Sequence, residues 1–138
     1  MAEVTKRIEY YYTVVPNRVG EGAKIFDVLR AEGVNLVAHL GFPIGWKRAQ
    51  LDLVPSDKDA FLAATRKAGI KIVGPKVAFL IQGEDRVGAV ADVLGKLKEA
   101  EISITALEAV ASGEGRYGAI LWVKPKDIDR AAKALGAS

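Results

Sequence analysis

Two four-residue stretches carry the groups best suited to hold a small polar molecule: Asn17-Arg18-Val19-Gly20 and Asp85-Arg86-Val87-Gly88. Each follows a β-rich apolar run, Ile8–Val15 or Val77–Ile81, and each opens an amphipathic helical pattern. A turn from strand into helix leaves the first backbone N–H groups of the helix unpartnered and aimed at whatever lies above them. The glycine lets a ligand approach the backbone, and the Asn or Asp ahead of it is an acceptor that tolerates turn geometry. That chemistry is binding. Catalysis has little material: His39 is the single histidine, there is no cysteine, and no Gly-x-Ser-x-Gly, P-loop or paired-histidine metal motif occurs. His39 reads as a strand residue. Asp57 with Asp59, and Asp127 with Asp129, fall at expected helix starts, where carboxylates meet the helix dipole, and read as caps rather than metal ligands.

The 138 residues suit one average domain or two small ones. A net charge of +3, with acids and bases interspersed, is too weak to point to nucleic acid. The absence of cysteine rules out disulfides and thiolate metal sites. No apolar run approaches the ~18 residues of a membrane span, and Met1–Arg7 lacks the apolar centre of a signal peptide. The expectation is a cytoplasmic protein with no cofactor and no membrane contact.

The elements that must position the two turns follow from periodicity. Ile8–Val15 reads as strand one, and Met1–Arg7 as lead-in. Helix one runs from about Val19 to Glu32, with Gly22, Ile25, Phe26 and Leu29 on one face, and Gly33 stops it. Val34–Leu40 and Arg48–Val54 are strands two and three. The loop between them, Gly41–Lys47, includes a stretch, Phe42–Trp46, that reads as a flap or a long hairpin tip. Ser56 reads as the N-cap of helix two, Asp57–Ala68, whose inward residues are Phe61, Ala64 and Ala68. Ile70–Val73 is a short strand four, and Gly74-Pro75 marks a boundary.

The pattern then repeats. A shift of 68 positions, from Gly20 to Gly88, lays Val90, Val93, Leu94 and Leu97 on Gly22, Ile25, Phe26 and Leu29. The same shift lays Ile102-Ser103-Ile104 on Val34-Asn35-Leu36, and Arg116 on Arg48. The fold class is therefore α+β: two tandem ferredoxin-like βαββαβ units, residues 1–74 and 75–138, each an antiparallel sheet with its helices on one face. The second unit lacks an evident last strand, because Gly136-Ala137-Ser138 stands where it would begin. In strand three Ala49, Leu51 and Leu53 face the helices and leave Gln50 and Asp52 outward, whereas the outward set of the second unit is apolar: Gly118, Ile120 and Trp122.

These residues resemble a tandem of ACT domains, small-molecule-binding regulatory modules often attached to enzymes of amino-acid metabolism. The family's first loop often reads Asn/Asp-Arg-Pro-Gly, with Gly-Val/Ile-Asn-Ile entering strand two. Here Asn17-Arg18-Val19-Gly20 is followed by Gly33-Val34-Asn35-Leu36, and Asp85-Arg86-Val87-Gly88 by Glu101-Ile102-Ser103-Ile104. The resemblance implies a non-catalytic protein that binds an amino acid or related metabolite between domains. Asn17 and Asn35, or Asp85 and Ser103, would hold its polar groups. Where some members place a histidine two residues before the loop Asn, this chain has Val15 and Gly83. Asp85 suits an amino group rather than a carboxylate.

Two other readings compete. One is an interaction module without a ligand. The other is an RNA-recognition motif, since Gly115–Trp122 partly imitates that family's longer signature; however, Ala119 replaces the central aromatic. The reading preferred here expects a small-molecule ligand, a possible partner enzyme and no nucleic acid. It also expects a homodimer, on three premises: the second sheet has an edge to protect, the outward Ile120 and Trp122 need cover, and the resembled family's ligand sites lie between domains. The alternatives are packing of the two sheets on each other or an N-terminal segment that supplies the missing edge.

Overall fold

The computed structural model describes residues 3–138. In chain order the elements are β1 (Val4–Pro16), α1 (Glu21–Ala31), β2 (Leu36–Ile44), β3 (Arg48–Pro55), α2 (Lys58–Ala68), β4 (Val73–Glu84), α3 (Ala89–Glu99), β5 (Ile104–Gly113), β6 (Arg116–Val123) and α4 (Ile128–Leu135). A 3-10 turn, Pro125–Asp127, leads into α4. The strands neighbour one another in the order β2-β3-β1-β4-β6-β5, and the pairs β1/β3, β2/β3, β4/β6 and β5/β6 are antiparallel. The class is α+β.

Two compact units form. One is Glu9–Lys76; the other is Val77–Ser138 together with residues 3–8. Each has its own core. In the first, Ile25 and Leu29 of α1 and Phe61 and Ala64 of α2 meet Tyr11, Leu51 and Leu53 of the strands. The i, i+4 spacing on α1 puts both residues on one helical stripe, and strand alternation puts Leu51 and Leu53 on one sheet face. In the second, Ala89, Val93 and Leu97 of α3 and Ala131 and Leu135 of α4 cover Phe79, Ile81, Ala119 and Leu121.

Several expectations need correction. Residues 4–7 are not lead-in but the start of β1, and they belong with 77–138. There Ser138 N–H donates to Thr5 O and Arg7 N–H to Ser138 O, both at 3.1 Å. The last strand missing after α4 is thus matched by a strand from the opposite end of the sequence, beside β4. Gly74-Pro75 does not separate two strands: both residues lie within β4. The N-cap of α2 is Asp57, whose Oδ1 accepts from Ala60 N–H at 3.1 Å, while Ser56 Oγ donates to Asn35 O. Ala68 is exposed and Thr65 takes its inward place, its hydroxyl donating to Phe61 O. Ile120 and Trp122 are only 7% and 6% exposed within the single chain. One premise of the dimer, that these two side chains need an outside cover, does not hold, and Trp122 offers no stacking face to a base.

Asp52 was expected on an outward polar face, yet it is buried on β3 at 6% exposure. Gln50 Nε2 donates to its Oδ1 at 2.9 Å. Burial raises its pKa above the ordinary aspartate value, against the opposing pull of the Gln50 hydrogen bond and the charges of Lys76 and His39. A raised folded-state pKa means the fold prefers the protonated acid. Its stabilisation is present below the unfolded pKa and is lost as pH rises through the folded one. Asp52→Asn is therefore expected to raise the melting temperature at pH about 8 and to lose that gain below pH about 4. Melts across this range check it; a variant less stable than wild type at pH about 8 contradicts it.

Candidate functional site

The two loops are built alike. Gly20 and Gly88 lie at φ 89° and 85°, in the left-handed region that admits glycine at low cost, and turn the chain into α1 and α3. Asn17 N–H donates to Lys47 O and Asp85 N–H to Gly115 O, each at 2.8 Å, tying each loop to the tip of its own β-hairpin. Asn17 Nδ2 adds a bond to Trp46 O at 3.3 Å. Among the described residues no backbone carbonyl accepts from the N–H groups of Val19, Gly20, Val87 or Gly88. Val19 and Val87 are fully exposed. Four donors at the starts of two helices thus lack a backbone acceptor on exposed loops.

Charges differ between the loops. Glu21 accepts from Arg18 at 3.1 Å and pairs with Lys24 at 3.0 Å; its hydrogen bond from Lys24 leads in lowering its pKa. Arg86 donates Nη1 to Val87 O at 3.2 Å and Nη2 to Asp92.

In the 77–138 unit the loop lines an open cleft of about 360 Å³. It is lined by Asp85, Arg86 and Gly88 of the loop, Val90 and Ala91 of α3, Ala109–Ala111 of β5 and Tyr117 of β6. Tyr117 is buried, and its hydroxyl donates to Glu3 at 2.7 Å. Burial and then this hydrogen bond push its pKa up to about 12, so it remains a neutral donor. A Cβ on Gly83 would sit 2.9 Å from Tyr117 Cε1, so a histidine there would require the Tyr117 ring to shift. Ser103 lies outside this cleft, at the far end of α3.

In the 9–76 unit the arrangement is reversed. An open cleft of about 580 Å³ runs between the end of α1 and the start of β2, lined by Phe26, Arg30, Asn35 and His39 among others. His39 stands edge-on to Phe26 at 4.6 Å, and its Nδ1 meets Asp52 O at 3.2 Å. Asn35 lines this cleft; Asn17, Arg18, Val19 and Gly20 do not. The 11 residues of α1 separate Asn17 from Asn35, a length of about 16 Å. The structure therefore does not bring the paired residues Asn17 and Asn35, or Asp85 and Ser103, together within one unit. Sequence reasoning also missed Tyr117 and the small residues Ala109 and Ala111 as cleft walls. The strand pairing Ala111↔Tyr117 places them there, and no local motif signals it.

No protein-family model matches the chain, and no curated protein matches it. Solved structures do. A protein from Bacteroides thetaiotaomicron has a TM-score of 0.81 at 20% identity, over 96% of this chain and 88% of that one. The ligand-free regulatory subunit of aspartate kinase from Thermus thermophilus has 0.66 at 17%, over 99% and 95%. A structure of aspartokinase alpha and beta subunits has 0.61 at 14%, over 98% and 95%. At these identities the likeness concerns the fold.

Proposed function

Given that the chain has the ACT fold of aspartate kinase regulatory subunits, we propose that it is a non-catalytic sensor of an amino acid or related metabolite, acting on a partner enzyme in the cytoplasm. The observation that carries the reading is the 360 Å³ cleft lined by Asp85, Arg86 and Gly88, in a loop where the N–H groups of Val87 and Gly88 have no backbone acceptor among the described residues. Its size suits a small molecule. The guanidinium of Arg86 and the two N–H groups suit a carboxylate, and Asp85 suits an ammonium group. Val90, Ala109 and Val110 leave an apolar wall for a side chain. A ligand exchanges its carboxylate for Asp92 on Arg86, a local change of charge at the start of α3 that contacts elsewhere can read.

The separation of Asn17 from Asn35 adds a second element. A metabolite touching both residue types must lie between two domains, so we place the complete sites in a two-fold homodimer. Thermal-shift screening with amino acids and related metabolites tests the proposal. A true ligand at about 100 times its Kd adds about 2.7 kcal/mol of stability. Arg86→Ala and Asn35→Ala should each weaken it by about 1–3 kcal/mol, and the saturated protein should sediment as a dimer. Binding untouched by either substitution moves the site elsewhere; a saturated monomer removes the dimer.

A further inference from the structure

The repeat supplies an internal control for one exposed side chain. Under the 68-residue shift the tip of the β2–β3 hairpin, Gly45-Trp46-Lys47-Arg48, lies on the tip of the β5–β6 hairpin, Gly113-Glu114-Gly115-Arg116. Both tips turn through a glycine with positive φ, at 71° and 100°. Both are held by the same 2.8 Å bond from the loop, Asn17 N–H to Lys47 O and Asp85 N–H to Gly115 O. The two turns differ in type, since Ile44 pairs with Arg48 where Gly113 pairs with Arg116, and Glu114 and Gly115 take positive φ of 60° and 72°; yet each tip is pinned, the first without Trp46 entering either core.

Trp46 is nonetheless 80% exposed. An exposed tryptophan on an anchored turn is a typical interface anchor, because its large apolar area is ordered in advance. Its surroundings are basic. Lys47 Nζ lies 4.8 Å from the ring centroid. Arg48 pairs across the strands with Pro16 at the mouth of the loop, next to Arg18 and the fully exposed Val19. Lys47 and Arg48 make no ion pair among the described residues, and Glu21 alone answers Arg18 and Lys24. The matching positions of the other unit carry Glu114 for Trp46, Gly115 for Lys47 and Asp92 for Lys24. Arg116 matches Arg48, so the twin tip pairs one glutamate with one arginine, whereas the first tip carries an indole, a lysine and an arginine with no acid.

We infer that the Trp46 tip is a docking element for a partner protein that offers an apolar pocket rimmed by carboxylates. Charge decides among occupants. A second copy of the same tip would oppose cation to cation, which disfavours self-pairing. Single-stranded RNA is bound by platforms of several aromatic rings, whereas one ring stands here with a lysine on its face. An acidic protein surface satisfies both the unpaired cations and the indole. The inference is independent of the ligand reading, since it uses none of the cleft residues Asp85, Arg86 or Asn35.

A display library of random short peptides, selected on the wild-type protein, tests it. Trp46→Glu is the main control: Trp46 is 80% exposed and in neither core, so the variant keeps the packing of the fold. Lys47→Glu with Arg48→Glu is the second. The expected result is enrichment of acidic peptides bearing one large apolar residue, bound at least about tenfold more weakly by either variant and more weakly in high salt. Peptide binding should also shift the emission of exposed Trp46, while buried Trp122 stays silent. Peptides bound equally well by Trp46→Glu overturn the inference. So does enrichment without acidic residues, tighter Trp46-dependent binding of oligouridylate, or self-association lost in Trp46→Glu.

Discussion

Deletion of the residues before Glu9 is expected to destabilise the 77–138 unit selectively. A sequence reader would regard this as a harmless trim. The segment supplies buried Thr5, two backbone bonds to Ser138 and the Glu3 carboxylate that accepts from Tyr117. At the usual net value per bond, the three hydrogen bonds alone represent about 3 kcal/mol. Removal also uncovers the edge of β4, where unpaired strand groups invite aggregation. Amide hydrogen exchange provides the readout. Protection should fall in α3, β5, β6 and α4 and persist in α1, β2, β3 and α2. Unchanged protection in α3 and β6 would mean that the segment contributes no structure to that unit.

Phe61→Ala is expected to do the reverse, at about 3–5 kcal/mol. Phe61 is fully buried on α2, and its ring stacks on Tyr11 at 5.2 Å between centroids. Truncation leaves a cavity bounded by α1, α2 and the strands of the 9–76 unit, whose core shares no residue with the other. Chemical denaturation followed by hydrogen exchange should show the loss centred on α1, α2, β2 and β3. Phe61→Leu, which keeps most of the volume, should lose far less. A cost below about 1 kcal/mol for Phe61→Ala contradicts this packing.

What the sequence disclosed follows from the range of the interactions. Helices are local: α1 begins and ends within about two residues of its expected span, after Gly20 and before Gly33, and α3 opens after Gly88. Strand faces were legible for the same reason: Leu51 and Leu53 point inward as alternation demands. The role of residues 4–8 was legible only as one alternative for the missing edge, because the segment meets a chain end more than a hundred residues away. Its Lys6 and Arg7 also disguise it, although charged residues are common on protected strand edges. Gly74-Pro75 misled in the opposite way, since breakers usually mark turns and here sit inside a long strand. The burial of Asp52 and Trp122 lies beyond periodicity altogether. Alternation tells which face a residue takes, not whether that face is covered. Of the candidate site, the loops Asn17–Gly20 and Asp85–Gly88 were visible as motifs. The clefts were not, because their walls come from strand pairing.

The central claim is that the Asp85–Gly88 loop binds a small amphoteric metabolite. An amide-resolved NMR titration of the isotope-labelled chain with the panel of amino acids and related metabolites tests it most directly. The account predicts saturable shifts led by Arg86, Val87, Gly88 and Ala89, with Ala109–Ala111 following and Arg86→Ala abolishing them. A panel that shifts none of these amides, or saturable shifts confined to residues outside both clefts, would contradict it.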